Sequence, residues 1–374
     1  MPSEEIWAAI VGSQAFIWRS LSYMIKKNLS DTLEIRGRTL RCRVAVPPMY
    51  IGPFSGPNGI ATEKTVKHYA SMAKGGAGLI IQEATCVTAD GLLAPDQLGI
   101  WSDEHIPHLK AVTDAVHAAG GTIVVQLHHA GAVSSCEDIV APSEYTVRER
   151  TARALTLDEI EGIINAFVDG ARRAVEAGYD GVELHGCHGY LISQFLNKKV
   201  NRREDSYGRE EAFVTEIFKR VRSSVPENFI VGVRLGAFEP TIEDGVRHAK
   251  VLDGLGVDFI DVSYGFRPEM VAQAPEQWPY SAAVWGGAEI KKAVSVPVFA
   301  VDGICTPQHA QSILDDTGLD MVDVGRSVLV DYAWAEHAIS GAVTGKCLHC
   351  KHCKWFDEPE KCSGKLLLKR MTAE

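Results

Sequence analysis

His185, His188 and Tyr190 stand directly after a strand pattern, Gly181 to Leu184, and before an apolar helical pattern resumes. Two imidazoles and a phenol on one turn can aim N–H groups at a single oxygen and supply a proton beside it. That suits polarising a carbonyl and protonating next to it. His-x-x-His is also a metal-ligand spacing, and two loop histidines satisfied by their neighbours would read the same way. A zinc pair and a structural pair therefore stand beside the catalytic reading.

Other polar residues fall where strand patterns stop. Gln126 follows the run Thr122–Val125, and Arg234 closes Phe229–Arg234. An amide with a donor and an acceptor, together with a fixed cation, suits the edge of a planar heterocycle whose reduced form is an anion. The competing readings are a hydrogen bond from Gln126 to a neighbouring loop and a salt bridge from Arg234 inside the fold. Two later patterns end in Asp302-Gly303 and Gly325-Arg326. Glycines there let backbone N–H groups approach a phosphate, and Arg326 adds charge. Plain turn glycines are the alternative.

Side chains from such distant stretches meet only if the strands lie side by side with their C-terminal ends together. Val/Ile/Leu-rich runs occur at Leu40–Val46, Ala77–Ala84, Thr122–His129, Gly181–Leu184, Phe229–Arg234, Asp258–Ser263, Val296–Val301 and Asp320–Gly325. Amphipathic stretches lie between them at Thr62–Lys74, Glu104–Ala119, Leu157–Ala177, Glu211–Val225, Ile242–Leu255, Trp285–Val294 and Pro307–Leu314. Runs of this kind are buried on both faces, and one closed α/β (β/α)8 TIM barrel accounts for all of them. A doubly wound sheet is the rival, but it would carry a glycine-rich dinucleotide turn near its first strand, and none is present. The organisation reads as an N-terminal helical extension (1–32), a barrel (33–344) and a Cys-rich tail (345–374).

With 374 residues, 46% hydrophobic and 23% charged, the chain reads as a globular enzyme, and 38 basic against 48 acidic residues give a net charge of −10. Nucleic acid is a disfavoured partner at that charge. The apolar start around Ile6 and Phe16 carries Glu4 and Glu5 and is broken by Gln14 and Arg19, short of the ~20 apolar residues of a membrane span. Nine cysteines, four of them crowded into Cys347, Cys350, Cys353 and Cys362, do not form a secreted disulfide framework. A reducing cytoplasm is expected, with no membrane partner, and a homo-oligomer is compatible.

Taken together, Pro47-Pro48-Met49, Glu83-Ala84, Gln126 to Gly131, His185 to Tyr190, Asn201 to Gly208, Arg234 and Gly325-Arg326 resemble the Old Yellow Enzyme family of FMN-dependent NADH:flavin oxidoreductases. The trimethylamine dehydrogenase and 2,4-dienoyl-CoA reductase branch is the nearer one, and the resemblance runs from about Leu33 to about Ala338. It implies that Pro47, Pro48 and Met49 line the flavin, that Ala84 sits beside the ring, and that Gln126 bonds the pyrimidine edge. Arg234 would approach N1 and the C2 oxygen, and Gly303, Gly325 and Arg326 would hold the phosphate. His185 and His188 would bind a substrate oxygen, with Tyr190 as proton donor. Tyr50 stands where the family often has Thr or Cys, Ala132 replaces a frequent arginine, and the segment after Gly208 is shorter than usual.

The tail thiols, spaced Cys347-x2-Cys350-x2-Cys353-x8-Cys362, are soft ligands for zinc or an iron–sulfur cluster, unless they stay unmetallated. The same branch carries a [4Fe–4S] cluster just after its barrel, with a longer final gap. The expected activity is an NAD(P)H-dependent ene-reductase that reduces α,β-unsaturated carbonyl compounds. Its partners would be a small-molecule substrate and a nicotinamide cofactor or an electron-transfer protein. With the sequence ending at Glu374, no appended nucleotide-binding domain is expected. An amine dehydrogenase or demethylase passing electrons out through a cluster is the alternative, and a non-catalytic zinc-bearing barrel is another.

Overall fold

The computed structural model describes residues 26–147, 149–265 and 273–373. Most of the expected N-terminal helical extension, residues 1–25, lies outside the described residues. Thirteen strands are present among them: β1 Leu33–Ile35, β2 Arg38–Leu40, β3 Val44–Val46, β4 Leu79–Cys86, β5 Ile123–His128, β6 Val140–Ala141, β7 Tyr145–Val147, β8 Arg150–Ala154, β9 Gly181–Gly186, β10 Ile230–Gly236, β11 Ile260–Ser263, β12 Val298–Val301 and β13 Met321–Asp323. Eight of them close a barrel in the order β10-β11-β12-β13-β3-β4-β5-β9. Every barrel pairing is parallel, as the near-continuous apolar runs require.

Helices join the barrel strands, as a parallel sheet demands. The one at Leu157–Glu176 shows why the sequence makes them. Thr156 and Glu159 form a capping box at its start, and Ile160, Ile163, Ile164, Phe167, Ala171 and Ala174 recur at helical spacing to give it one buried face. The expected single strand Leu40–Val46 is corrected. It divides into β2, which pairs antiparallel with β1 as a hairpin, and the barrel strand β3. Ile35 and Leu40 of the hairpin pack with Ala45, Leu79, Ile81, Val124, Ile230, Phe259, Phe299 and Met321. This plugs the N-terminal end of the barrel with hydrocarbon. Within the plug the Phe259 and Phe299 rings stack with centroids 4.9 Å apart, and a Cβ on Gly232 would lie 2.2 Å from the Phe259 ring.

A three-stranded sheet, β6-β8-β7, is inserted between β5 and the helix at Leu157–Glu176. The tail folds back on the barrel: Trp355 is 3% exposed and donates its Nε1 hydrogen to the Leu329 carbonyl at 2.8 Å. At the other end of the described chain, Lys27 reaches the carbonyls of Gly318 and Leu319 and the Asp320 carboxylate at 2.6–2.9 Å. Among the described residues no helix is long and apolar enough to cross a membrane.

Candidate active site

The C-terminal ends of β5, β9 and β11 bring three histidines into one line. His128 Nδ1 lies 3.0 Å from His185 Nδ1, His185 Nε2 lies 3.2 Å from His188 Nδ1, and His188 Nε2 lies 2.8 Å from Ser263 Oγ. Burial holds His128 at a pKa of about 3 and His185 well below its ordinary value, so these two rings are neutral and carry one proton each. Protons pointing outward from His128 towards Ser263 leave only an acceptor, the buried His128 Nε2, without a partner. The opposite alignment would bury an unpaired N–H donor there. Tyr190 stands over this line, its ring centroid 4.5 Å from that of His128 and 4.7 Å from that of His185. His188 occupies a left-handed conformation, φ 63°, which costs energy outside glycine and is tolerated where the surroundings impose it.

Sequence spacing placed His185 and His188 as two donors converging on one oxygen; here the two rings face each other in series, so joint use requires that contact to open. His185, Cys187 and His188 also set three ligand-type atoms within 4.8 Å of one another. Burial raises the Cys187 thiol well above its usual range, and the histidine nitrogens already face hydrogen-bonding partners. The arrangement handles protons.

Beside this line lies a cavity of about 260 Å³, and its lining includes Pro47, Pro48, Met49, His188, Arg234, Gly303, Gly325 and Arg326. Eight of the residues singled out in the sequence thus face one space. Among the lining residues, Gly303 has φ 74° and open space in front of its Cα, while a Cβ on Gly325 would press within 3.2 Å of the Met49 sulfur. Exposed Arg326 adds charge to the wall. Arg234, also in the wall, is 4% exposed, and its Nε has no partner. A group with an anionic phosphate and a planar hydrogen-bonding heterocycle fits these donors, as FMN does. Tyr50 hydrogen-bonds Asp96, and the buried Ala132 N–H donates to Gln194 at 3.2 Å.

Gln126 lies within the barrel, 1% exposed, and donates to Glu183 at 2.7 Å. Arg234 forms the in-barrel ion pair that sequence reasoning raised as its alternative, with Asp261 at 3.3 Å. Glu183, Asp261 and a third buried acid, Asp323, were not singled out from the sequence, and neither were His128 and Ser263. The available signal was parity. Gln126 and His128, Glu183 and His185, and Asp261 and Ser263 are each two apart on one strand, so they share a face.

Ala84 sits at a break in the β4–β5 register between Gln82 and Thr85 and is 8% exposed. Its neighbour Glu83 accepts from the Ile51 N–H at 2.9 Å and from the Tyr69 hydroxyl at 3.3 Å, and burial raises its pKa from 4.5 to about 8. The stability tied to its proton is complete below about pH 4.5 and is lost as pH rises towards 8. Glu83→Gln, which cannot ionise, should gain on wild type by on the order of 2 kcal/mol between about pH 5 and 7. Paired urea titrations check this, and a constant difference between the two proteins would refute it.

The tail thiols lie along the surface: Cys350 and Cys353 are exposed, and Cys347 and Cys362 half-buried. Among the described residues they are not gathered within 4.8 Å as ligands of one ion would be. His349 reaches back to the cavity-lining Cys305, with Nε2 3.5 Å from its sulfur.

Residues 29–344 match the NADH:flavin oxidoreductase / NADH oxidase family. The chain is 35% identical to an NADH oxidase of Thermoanaerobacter brockii over 86% of its own length and 52% of that protein's, so it spans about half of that relative. It is 36% identical to an NADPH dehydrogenase of Geobacillus sp. (strain WCH70), covering 82% of this chain and 92% of that one. Among solved structures, morphinone reductase in complex with tetrahydroNAD superposes with a TM-score of 0.72 at 27% identity, covering 86% and 92% of the two chains. The old yellow enzyme homologue of Zymomonas mobilis gives 0.72 at 26%, covering 86% and 95%. The chain is therefore a flavin-dependent oxidoreductase and belongs to the NADH:flavin oxidoreductase / NADH oxidase family.

Proposed function

We propose that the protein is an FMN-dependent ene-reductase that uses NAD(P)H to reduce α,β-unsaturated carbonyl compounds. The observation that carries this is the junction, at His188, of the His128–His185–His188 line and Tyr190 with a cavity lined by Gly303, Gly325 and Arg326. When bound, FMN supplies hydride transfer. Gln126 and Arg234 hold the edge of its ring and Gly303, Gly325 and Arg326 hold its phosphate, with Pro47, Pro48, Met49 and Ala84 along the ring. With the His185–His188 contact opened, both rings bind the carbonyl oxygen and stabilise the charge that grows on it. Tyr190 delivers the proton to the α carbon.

The tail, residues 345–374, supplies the donor chemistry of a soft-metal centre through Cys347, Cys350, Cys353 and Cys362. A [4Fe–4S] cluster, each of whose thiolates holds a different iron, asks for wider spacing than one zinc ion. This favours the trimethylamine dehydrogenase and dienoyl-CoA reductase branch. It also keeps an amine dehydrogenase, with an electron-transfer protein as partner, as the second reading. All nine cysteines are free, which fits a reducing cytoplasm.

Protein purified without oxygen should be yellow with non-covalent FMN. NAD(P)H should bleach it and an enone restore the colour. Bleaching by an amine would favour the second reading, and absence of flavin after reconstitution would sink both. Metal analysis of the same sample should find iron or zinc, lost in Cys350→Ala while FMN stays bound.

A further inference from the structure

Three acids converge inside the barrel just below the cavity, Glu183 on β9, Asp261 on β11 and Asp323 on β13, each 0–1% exposed. They stand on alternate strands of the closed barrel, and Asp261 is electrostatically tied to both of the others. The free oxygens, Glu183 Oε2 and both oxygens of Asp261 and Asp323, meet no well-aligned donor from elsewhere in the described chain. Two carboxyl groups can hydrogen-bond to each other only through a proton held between them. Two such contacts, Glu183 to Asp261 and Asp261 to Asp323, would hold two protons and leave the three carboxyls one negative charge. Arg234, 3.3 Å from Asp261, carries one positive charge, and the assembly is neutral.

The neighbours leave little else to balance it. Gln126 on β5 donates to Glu183, and Asp323 pairs in register with Val301 of β12 and Ala45 of β3. Around Arg234, His185 is held neutral and the Cys187 thiol is held protonated, both by burial. An unprotonated triad would place three negative charges against one positive among residues buried in the barrel, which leaves unpaired ions desolvated.

We propose that Glu183, Asp261 and Asp323 form a proton-loaded carboxyl chain that positions Gln126 and Arg234 and sets, by the number of protons it holds, the charge met by a heterocycle edge at the cavity floor. The proposal rests on the FMN reading for the identity of that heterocycle. Both groups assigned to the ring edge are gripped from behind by this chain, Gln126 by Glu183 and Arg234 by Asp261, while Asp323 itself reaches the cavity wall. Loss of one proton from the chain would add a negative charge beside Arg234 and oppose the charge of a reduced ring.

Infrared spectra of Glu83→Gln, which lacks the other carboxyl that burial holds protonated towards pH 8, test the chain directly, loaded with FMN and stripped of flavin, with the chain variants made in the same background. Two protonated carboxyl groups should persist at neutral pH in both, above the range where ordinary carboxyls have ionised, and should shift in D2O. In Asp261→Asn the central amide donates to one neighbour and accepts from the other, so the count should fall to one; Asp323→Asn provides a second variant should the first not fold. Absence of a protonated-carboxyl band in Glu83→Gln at neutral pH overturns the proposal whatever the chain variants do. The link to the ring is read from the flavin midpoint potential against pH. The wild type should show a break where the chain gives up a proton, moved by about one pH unit, a tenfold change in proton affinity, in Asp261→Asn. A break that stays in place, or no break, overturns the proposed control of the ring-edge charge. Protein that never takes up FMN would instead refute the functional reading, with the infrared count still deciding the chain.

Discussion

Tyr190→Phe is expected to slow reoxidation of the reduced protein by an enone by about 10²–10⁴-fold, the cost of losing a positioned general acid, or about 3–5 kcal/mol of barrier. Its reduction by NAD(P)H should change little, because the phenol's proton is spent only on the α carbon. The ring itself should stay in place. Tyr190 packs against His128 and His185 through its aromatic faces and edges, contacts that phenylalanine retains. Stopped-flow measurement of the two half-reactions separates the outcomes. Equal losses in both would show that the hydroxyl holds the histidine line together and does not deliver a proton.

The second large effect is expected at Trp355. This side chain ties the tail to the barrel through its Nε1 hydrogen bond to Leu329 and through packing against Phe54 and His68, with centroids 5.6 and 5.9 Å away. Trp355→Ala should cost about 3–5 kcal/mol, the usual range for emptying a buried aromatic site. The loss should appear first as easier proteolysis between Gly345 and Cys362. Trp355→Phe, which keeps most of the packing and loses the hydrogen bond, should fall well short of that cost. An unchanged urea midpoint and proteolytic pattern in Trp355→Ala would mean that the tail is held by something else.

The barrel was legible because its strands are apolar on both faces and its helices amphipathic, so two different periodicities alternate along the chain. The cavity wall was legible for a related reason: Arg234, Gly303 and Gly325-Arg326 interrupt apolar runs at their ends. The hairpin β1–β2 was not, because Leu33, Ile35 and Leu40 alternate with polar residues over too few positions to separate from the strand that follows. The acid chain escaped for a subtler reason. Glu183, Asp261 and Asp323 lie within strands whose other residues are apolar, and a lone acid in such a run reads as an exception until the closed sheet places it next to the others. The linear alignment of His185 and His188 was beyond reach as well, since it depends on the left-handed backbone at His188 and on the distant Ser263.

The hydrocarbon plug formed by β1–β2 and the stacked Phe259 and Phe299 gives the barrel a floor, and that floor constrains traffic. Anything that reaches the cavity beside His188 and Arg234 comes and goes on the side of the strand C-termini. A nicotinamide and an unsaturated carbonyl compound would therefore compete for one doorway. Each must leave before the other can approach the same face, so the order of events is imposed by the shape of the barrel as much as by the chemistry inside it.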